Sequence, residues 1–285
     1  MTEFLQLLIF GVVLGGIISL GAVGVSLLFG ILRFANFSHG DMMTLGAYFA
    51  FVFVAVLGFP MIIAFPLAVA LAGIVGVGID QVLYRQLRRT APVILLFSSF
   101  GVALILRSVV QIVWGPDNLV YEQGIQIPIR FMGLRIKPDH ITILVGTVVL
   151  VTLLYLFLQR TRVGKAMRAM ADDPDLAGVT GINTEQIVMW TWLIGGGLAG
   201  AAGIFLAIDT RLNPLLGWNL LLPIFAAAIL GGIGKPYGAI AGGLVIGIAT
   251  EVSTLVILPV YKPAVAFALM VLMLIYRPTG LLRGA

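Results

Sequence analysis

Apolar residues run almost unbroken along this chain, and its few polar interruptions decide how it divides. Between Leu5 and Leu57 the concentrated break is Arg33-Phe-Ala-Asn-Phe-Ser-His-Gly-Asp41, which brings Arg33, Asn36, Ser38, His39 and Asp41 close together. Lipid offers such groups no hydrogen bonds, so a polar stretch between two membrane-length segments must face water, protein or a ligand. It is either a tight cytoplasmic turn or the unwound centre of a discontinuous helix lining a path, with Gly40 supplying backbone freedom. A bilayer core needs about 20 apolar residues per helix. By that measure spans are expected near Gln6–Phe29, Met42–Leu57, Met61–Tyr84, Val93–Trp114 and Ile141–Leu158. Four more follow near Ile187–Ile208, Leu220–Gly232, Ala239–Leu258 and Pro263–Tyr276. The second, seventh and ninth are short and read as candidates for broken or re-entrant segments. The expected fold is all-α, a polytopic transmembrane helix bundle of eight or nine spans forming one domain over residues 1–285.

Two long loops separate the spans. The loop 115–140 mixes Pro116, Asp117, Tyr121, Glu122, Pro128 and Pro138; it suits either a surface that meets a soluble partner or a plain connector. The loop 159–184 opens as a basic helix extending from the membrane, through Arg160, Arg162, Lys165 and Arg168. Asp172, Asp173 and Asp175 then surround Pro174, a helix-start pattern because acids favour the positive N-terminal end. Leu176, Ala177 and Val179 give this short helix an apolar side, beside Gly178, and Gly181 ends it before Ile182. The functional reading is docking into a groove on a cytoplasmic partner. The alternative is a helix lying flat on lipid, for which three leading acids are ill suited on an anionic surface.

Composition narrows the class. Charged residues make up 10% of the chain, against roughly 25% in soluble domains, so lipid must be the solvent for a sequence that is 60% hydrophobic. The absence of cysteine excludes disulfides and thiolate metal sites, and two histidines leave almost no metal chemistry. The net charge of +5 belongs to loops, not to nucleic-acid binding. Arg85, Arg88 and Arg89 form one basic cluster and Arg160 to Arg168 another; two spans separate them, so both face the cytoplasm. The N-terminus is then outside, and Lys235, Arg277 and Arg283 are inside; Arg130, Arg135, Lys137, Arg211 and Lys262 run against the bias. Met1-Thr-Glu-Phe lacks the basic start of a removed signal, which favours a retained first span. Glycines four apart, Gly11/Gly15, Gly196/Gly200, Gly238/Gly242 and Gly243/Gly247, suit close helix packing.

Catalytic motifs are missing. Gly164-Lys165 is followed by Ala166 and Gly234-Lys235 by Pro236, so no phosphate-cradling loop ends in Gly-Lys-Ser/Thr. Gly195-Gly-Gly-Leu-Ala-Gly200 fits the dinucleotide fingerprint but lies inside an apolar span, where it reads as a packing surface. No catalytic residue, cofactor or metal site is expected. Energy for transport would come from partner subunits or an ion gradient. Arg107 and Glu251 fall within spans, where ionisable groups mark function by default; the structural alternatives are a mutual ion pair or a snorkelling Arg107. Asp80 and Asp209 lie nearer span ends.

Several motifs in order carry a family resemblance. Asn36-Phe-Ser-His-Gly-Asp41, followed by Gly46-Ala-Tyr48, resembles the Asn-Phe-Ala-His-Gly-Glu signature of LivH-type permeases, the membrane subunits of branched-chain amino acid ABC importers. Thr161 to Arg168 is similar to that family's basic lead-in, Gly181-Ile-Asn183 to the end of its coupling segment, Ala228 to Gly234 to its late glycine-rich element, and Arg277 to Leu282 to its C-terminal signature. Ser38, Asp41 and Pro236 depart from the pattern. The resemblance implies a LivM-like second permease, two ATPases of the LivG and LivF kind, and a periplasmic binding protein that delivers substrate. It also implies that Asp172–Ile182 is the coupling helix, in a multi-pass protein of the bacterial inner membrane. Relatives carrying urea or short-chain amides share much of the pattern. The expected mechanism is alternating access driven by the ATPases, with Asn36, Ser38, His39 and Asp41 either lining or gating the route or forming a structural turn. An ion-coupled secondary transporter using Arg107 and Glu251 is the alternative from another class.

Overall fold

A computed structural model describes residues 2–88, 90–121, 128–131, 134–277 and 280–281. Arg89, Glu122, the side chain of Arg130, Arg283 and part of the Arg277–Leu282 motif lie outside the described residues. Among the described residues eleven helices follow one another: α1 (Thr2–Leu32), α2 (His39–Val56), α3 (Met61–Leu87), α4 (Pro92–Trp114), α5 (Pro138–Arg160), α6 (Arg162–Asp172), α7 (Pro174–Val179), α8 (Thr184–Asp209), α9 (Leu216–Gly231), α10 (Pro236–Leu255) and α11 (Pro259–Tyr276). Eight of them are long and apolar enough to cross a membrane, and α9 is a shorter apolar helix. The last turns of α2 and α3 loosen into π-helix at Val52–Val56 and Asp80–Tyr84. The only sheet among the described residues is a hairpin, β1 (Ile129–Phe131) with β2 (Leu134–Ile136), in the loop after α4. Leu119 pairs with Leu212 across that end of the bundle, and the Gln6 side chain exchanges two hydrogen bonds with the Arg135 backbone.

Small residues decide which helices meet. α10 runs antiparallel along α1, with Gly11, Gly15 and Ser19 seated on Gly243, Gly247 and Ile248. In α8 the Gly195–Gly200 stretch and Gly203 receive α1, α2 and α3, as the packing-surface reading expected. A methyl at Gly203 would stand 1.9 Å from the Met43 carbonyl oxygen, so the α2–α8 contact tolerates no side chain there. Without a hydrophobic drive between helices in lipid, such backbone approach is a main source of association. α1 and α8 are accordingly the most enclosed of the long helices, while α4, α5 and α11 turn most of their surface outward.

The basic lead-in does not extend α5. Thr161 ends that helix and caps the next, accepting the Gly164 N–H at 2.9 Å. Gly164 lies against Phe157 and Leu158, and α6 folds back along the bundle. The reason is its amphipathic pattern: Met167 and Met170 are buried while Arg162, Lys165 and Arg168 are exposed.

Candidate functional site

The break between α1 and α2 lies inside the bundle. α1 ends at Arg33, which takes a left-handed φ of 55° and returns its N–H to Phe29 at 2.8 Å. The chain then climbs back beside α1. At the first residue of α2, His39 Nε2 lies 3.1 Å from the Gly21 carbonyl oxygen. Gly21 is about three turns before the end of α1, roughly 16 Å along its axis. α2 therefore starts at depth, and a simple turn at the Leu32 end does not describe it.

Asn36, Ser38, His39 and Asp41 are all buried. Asn36 Oδ1 accepts the Ser38 N–H at 3.1 Å and the Ser38 hydroxyl at 2.7 Å. The Tyr84 hydroxyl of α3 stands 3.3 Å from Ser38 Oγ and 3.4 Å from Asn36 Oδ1, and its ring stacks on Trp192 of α8 at 5.2 Å. Phe37 donates its N–H to Ser99 Oγ of α4 at 3.0 Å. On the α9 side, Gly217 donates its N–H to Thr44 Oγ1 at 3.0 Å, and Gly217 packs on Gly40 so closely that neither accepts a side chain. Asn36 Nδ2 and His39 Nδ1 are buried without a hydrogen-bond partner among the described residues. The break is thus a junction held by α1, α3, α4, α8 and α9.

Asp41 and Arg107 form a two-pronged ion pair. Arg107 Nε donates to Oδ1 at 3.0 Å and Nη2 to Oδ2 at 3.1 Å, while the guanidinium carbon lies 4.4 Å over the Trp218 ring of α9. The Asp41 side chain is 1% exposed and that of Arg107 14%. Parallel N–H···O bonds of this kind fix geometry as well as charge. A mutual pair of Arg107 and Glu251, one of the structural alternatives left open by the sequence, does not form. Glu251 instead accepts from Lys262 Nζ at 2.6 Å, because α10 and α11 bring these two together across a tight turn. Nearby, His140 Nε2 and Asp209 Oδ1 are 3.3 Å apart.

At the Leu32 end, Asp173 Oδ1 caps α7 by accepting the N–H groups of Asp175 and Leu176, each at 3.0 Å. Gly181 follows with φ 88° and closes the segment. Asp172, Asp175, Gly178 and Gly181 are exposed, Ile182 is half-buried, and Ala177 is buried. Leu176 and Val179 are 60% and 86% exposed, so the apolar side of α7 points away from the bundle. Arg168 Nη1 donates to Gln159 Oε1 at 2.8 Å, which ties α6 back to α5.

The family described as branched-chain amino acid transport system, permease component, matches residues 7–274. The chain belongs to that family. This permease is 33% identical to the high-affinity branched-chain amino acid transport system permease protein LivH of Escherichia coli (strain K12), over 98% of its own length and 95% of that protein's. It is also 33% identical to the corresponding permease protein BraD of Pseudomonas aeruginosa, over 98% and 96%. A probable LivH of Methanocaldococcus jannaschii is 28% identical over 95% and 90%. With its eight membrane-length helices the permease is a multi-pass membrane protein.

Sequence reasoning missed several members of this permease's buried network. Tyr84, Ser99 and Trp192 fall within the expected spans and Trp218 just before the seventh, with nothing in the sequence to set them apart. Arg88 bonds both Asp80 and Glu185, and Arg85 also reaches Glu185 at 3.3 Å. The cluster of basic residues signalled that face, but not which acids would answer it.

Proposed function

We propose that this permease is the membrane subunit of an ABC importer for branched-chain amino acids, moving substrate by alternating access driven by partner ATPases. The relatives named for that activity match nearly the whole chain. The observation that carries the coupling part is α7: a capped helix with Leu176 and Val179 turned away from the bundle. Nothing among the described residues covers this apolar side, and a groove on an ATPase would bury it. Asp172–Ile182, with Arg168 at its base, is then the segment through which the ATPases act. Asn36, Ser38, His39 and Asp41 form the junction that moves when α1, α3 and α8 shift relative to one another. The partners on this reading are a LivM-like second permease, two LivG- and LivF-like ATPases and a periplasmic binding protein. The protein sits in the inner membrane with its N-terminus outside and its C-terminus in the cytoplasm. An ion-coupled carrier built on Arg107 and Glu251 gains nothing from the structure, since each has a separate partner.

The test replaces Leu176 with Glu and Gly178 with Arg in the intact transporter. Both point outward, so insertion should be unaffected, while ATPase copurification from mild detergent and leucine uptake should be lost. Retained ATPase binding and uptake would refute docking at α7.

A further inference from the structure

We infer that Arg107 contacts the carboxylate of the transported amino acid, on a substrate-facing wall formed by α4 and α9. This rests on the amino acid importer reading above. Arg107 lies in the interior of α4, and α9 begins within the bundle, because its Gly217 packs on Gly40 and its Ile224 on Gly21. Trp218 and Asn219 are therefore at bilayer depth. Asn219 is exposed there, as are Leu222 one turn further along α9 and Phe100 and Leu104 on α4, which are 43%, 40% and 46% exposed. Phe100 and Trp218 meet edge to face at 5.9 Å and join the two helices into one surface. An exposed amide at this depth, close in the chain to the ring that covers a guanidinium only partly enclosed, is poorly matched to lipid tails, which cannot hydrogen-bond it.

The guanidinium has capacity left for a ligand. Its Nε–Nη2 edge is filled by Asp41 and one face of its plane by the Trp218 ring, while Nη1 has no partner among the described residues. The remaining Nη1–Nη2 edge offers two donors in the fork that a carboxylate matches. Asp41 neutralises the arginine, so a carboxylate is held by short-range hydrogen bonds and not by net charge. Such a hold is weak enough to release, as passage through a membrane requires. The exposed apolar residues of the two helices, Phe100, Leu104 and Leu222, suit an aliphatic side chain.

The chain has no cysteine, so Asn219→Cys supplies a single reporter in this subunit. In the intact transporter reconstituted in vesicles, a charged water-soluble thiol reagent should label it. L-leucine should slow that labelling, whereas L-leucinol, which lacks the carboxylate, should not. Adding Arg107→Gln should raise the leucine needed for half protection about tenfold or more, the loss of one hydrogen bond to a charged group; Arg107→Lys should fall between. No labelling, or equal protection by leucinol and leucine, overturns the inference, and the leucinol comparison needs no change at Arg107. If the unsubstituted transporter fails to take up leucine at all, the importer reading itself has failed.

Discussion

The Asp41–Arg107 pair shows how much one residue can depend on another inside this bundle. Both charges are nearly or fully enclosed, so removing one strands the other. Arg107→Leu should destabilise the protein by about 3–5 kcal/mol, and adding Asp41→Leu should recover much of that by leaving no orphan charge. Thermal unfolding in detergent checks this: the double variant should melt above Arg107→Leu alone. Arg33 makes a different kind of prediction. It holds a left-handed backbone at the end of α1 with its side chain exposed, a conformation that costs a non-glycine residue about 1 kcal/mol. Arg33→Gly should therefore melt at the same temperature or higher, and a clear drop would show that the side chain has a role.

At the scale of elements, α7 is the exposed piece on which the proposed coupling depends. It is too short to persist without its cap, since helices of so few turns are marginal on their own. Asp173→Ala should cost about 1 kcal/mol locally, speed amide exchange at Asp175 and Leu176, and weaken ATPase copurification; Asp173→Asn should preserve all three. This helix was legible in the sequence because its cap, proline, acids and closing glycine sit next to one another. The spans were legible for a similar reason, since hydropathy is a local property. The junction at Asn36 to Asp41 was legible as a polar break, and the span after it as a candidate broken or re-entrant segment, but how deep it lies was not legible. Its depth is set by Gly21, Tyr84, Ser99 and Gly217, whose positions depend on glycine contacts between distant helices. For the same reason the partners of Arg107 and Glu251 could not be chosen from the sequence: nothing near either residue in the chain says which helix will face it.

For the whole molecule, sidedness is the property on which the coupling proposal stands. Thr180 is exposed at the end of α7, and Thr180→Cys should react with an impermeant reagent applied from the cytoplasmic side and stay unreactive from outside; the opposite pattern would end the proposal. The late start of α2 also bears on how the chain is made. Asp41 emerges from the ribosome well before Arg107, so its permanent counter-charge does not yet exist when the first hairpin enters the membrane. That hairpin has to wait near the aqueous boundary, or beside the insertion machinery, until α4 arrives and allows the carboxylate to sink. A nascent chain halted before Pro92 should accordingly leave the His39–Asp41 region open to water, and one extended past Trp114 should seal it.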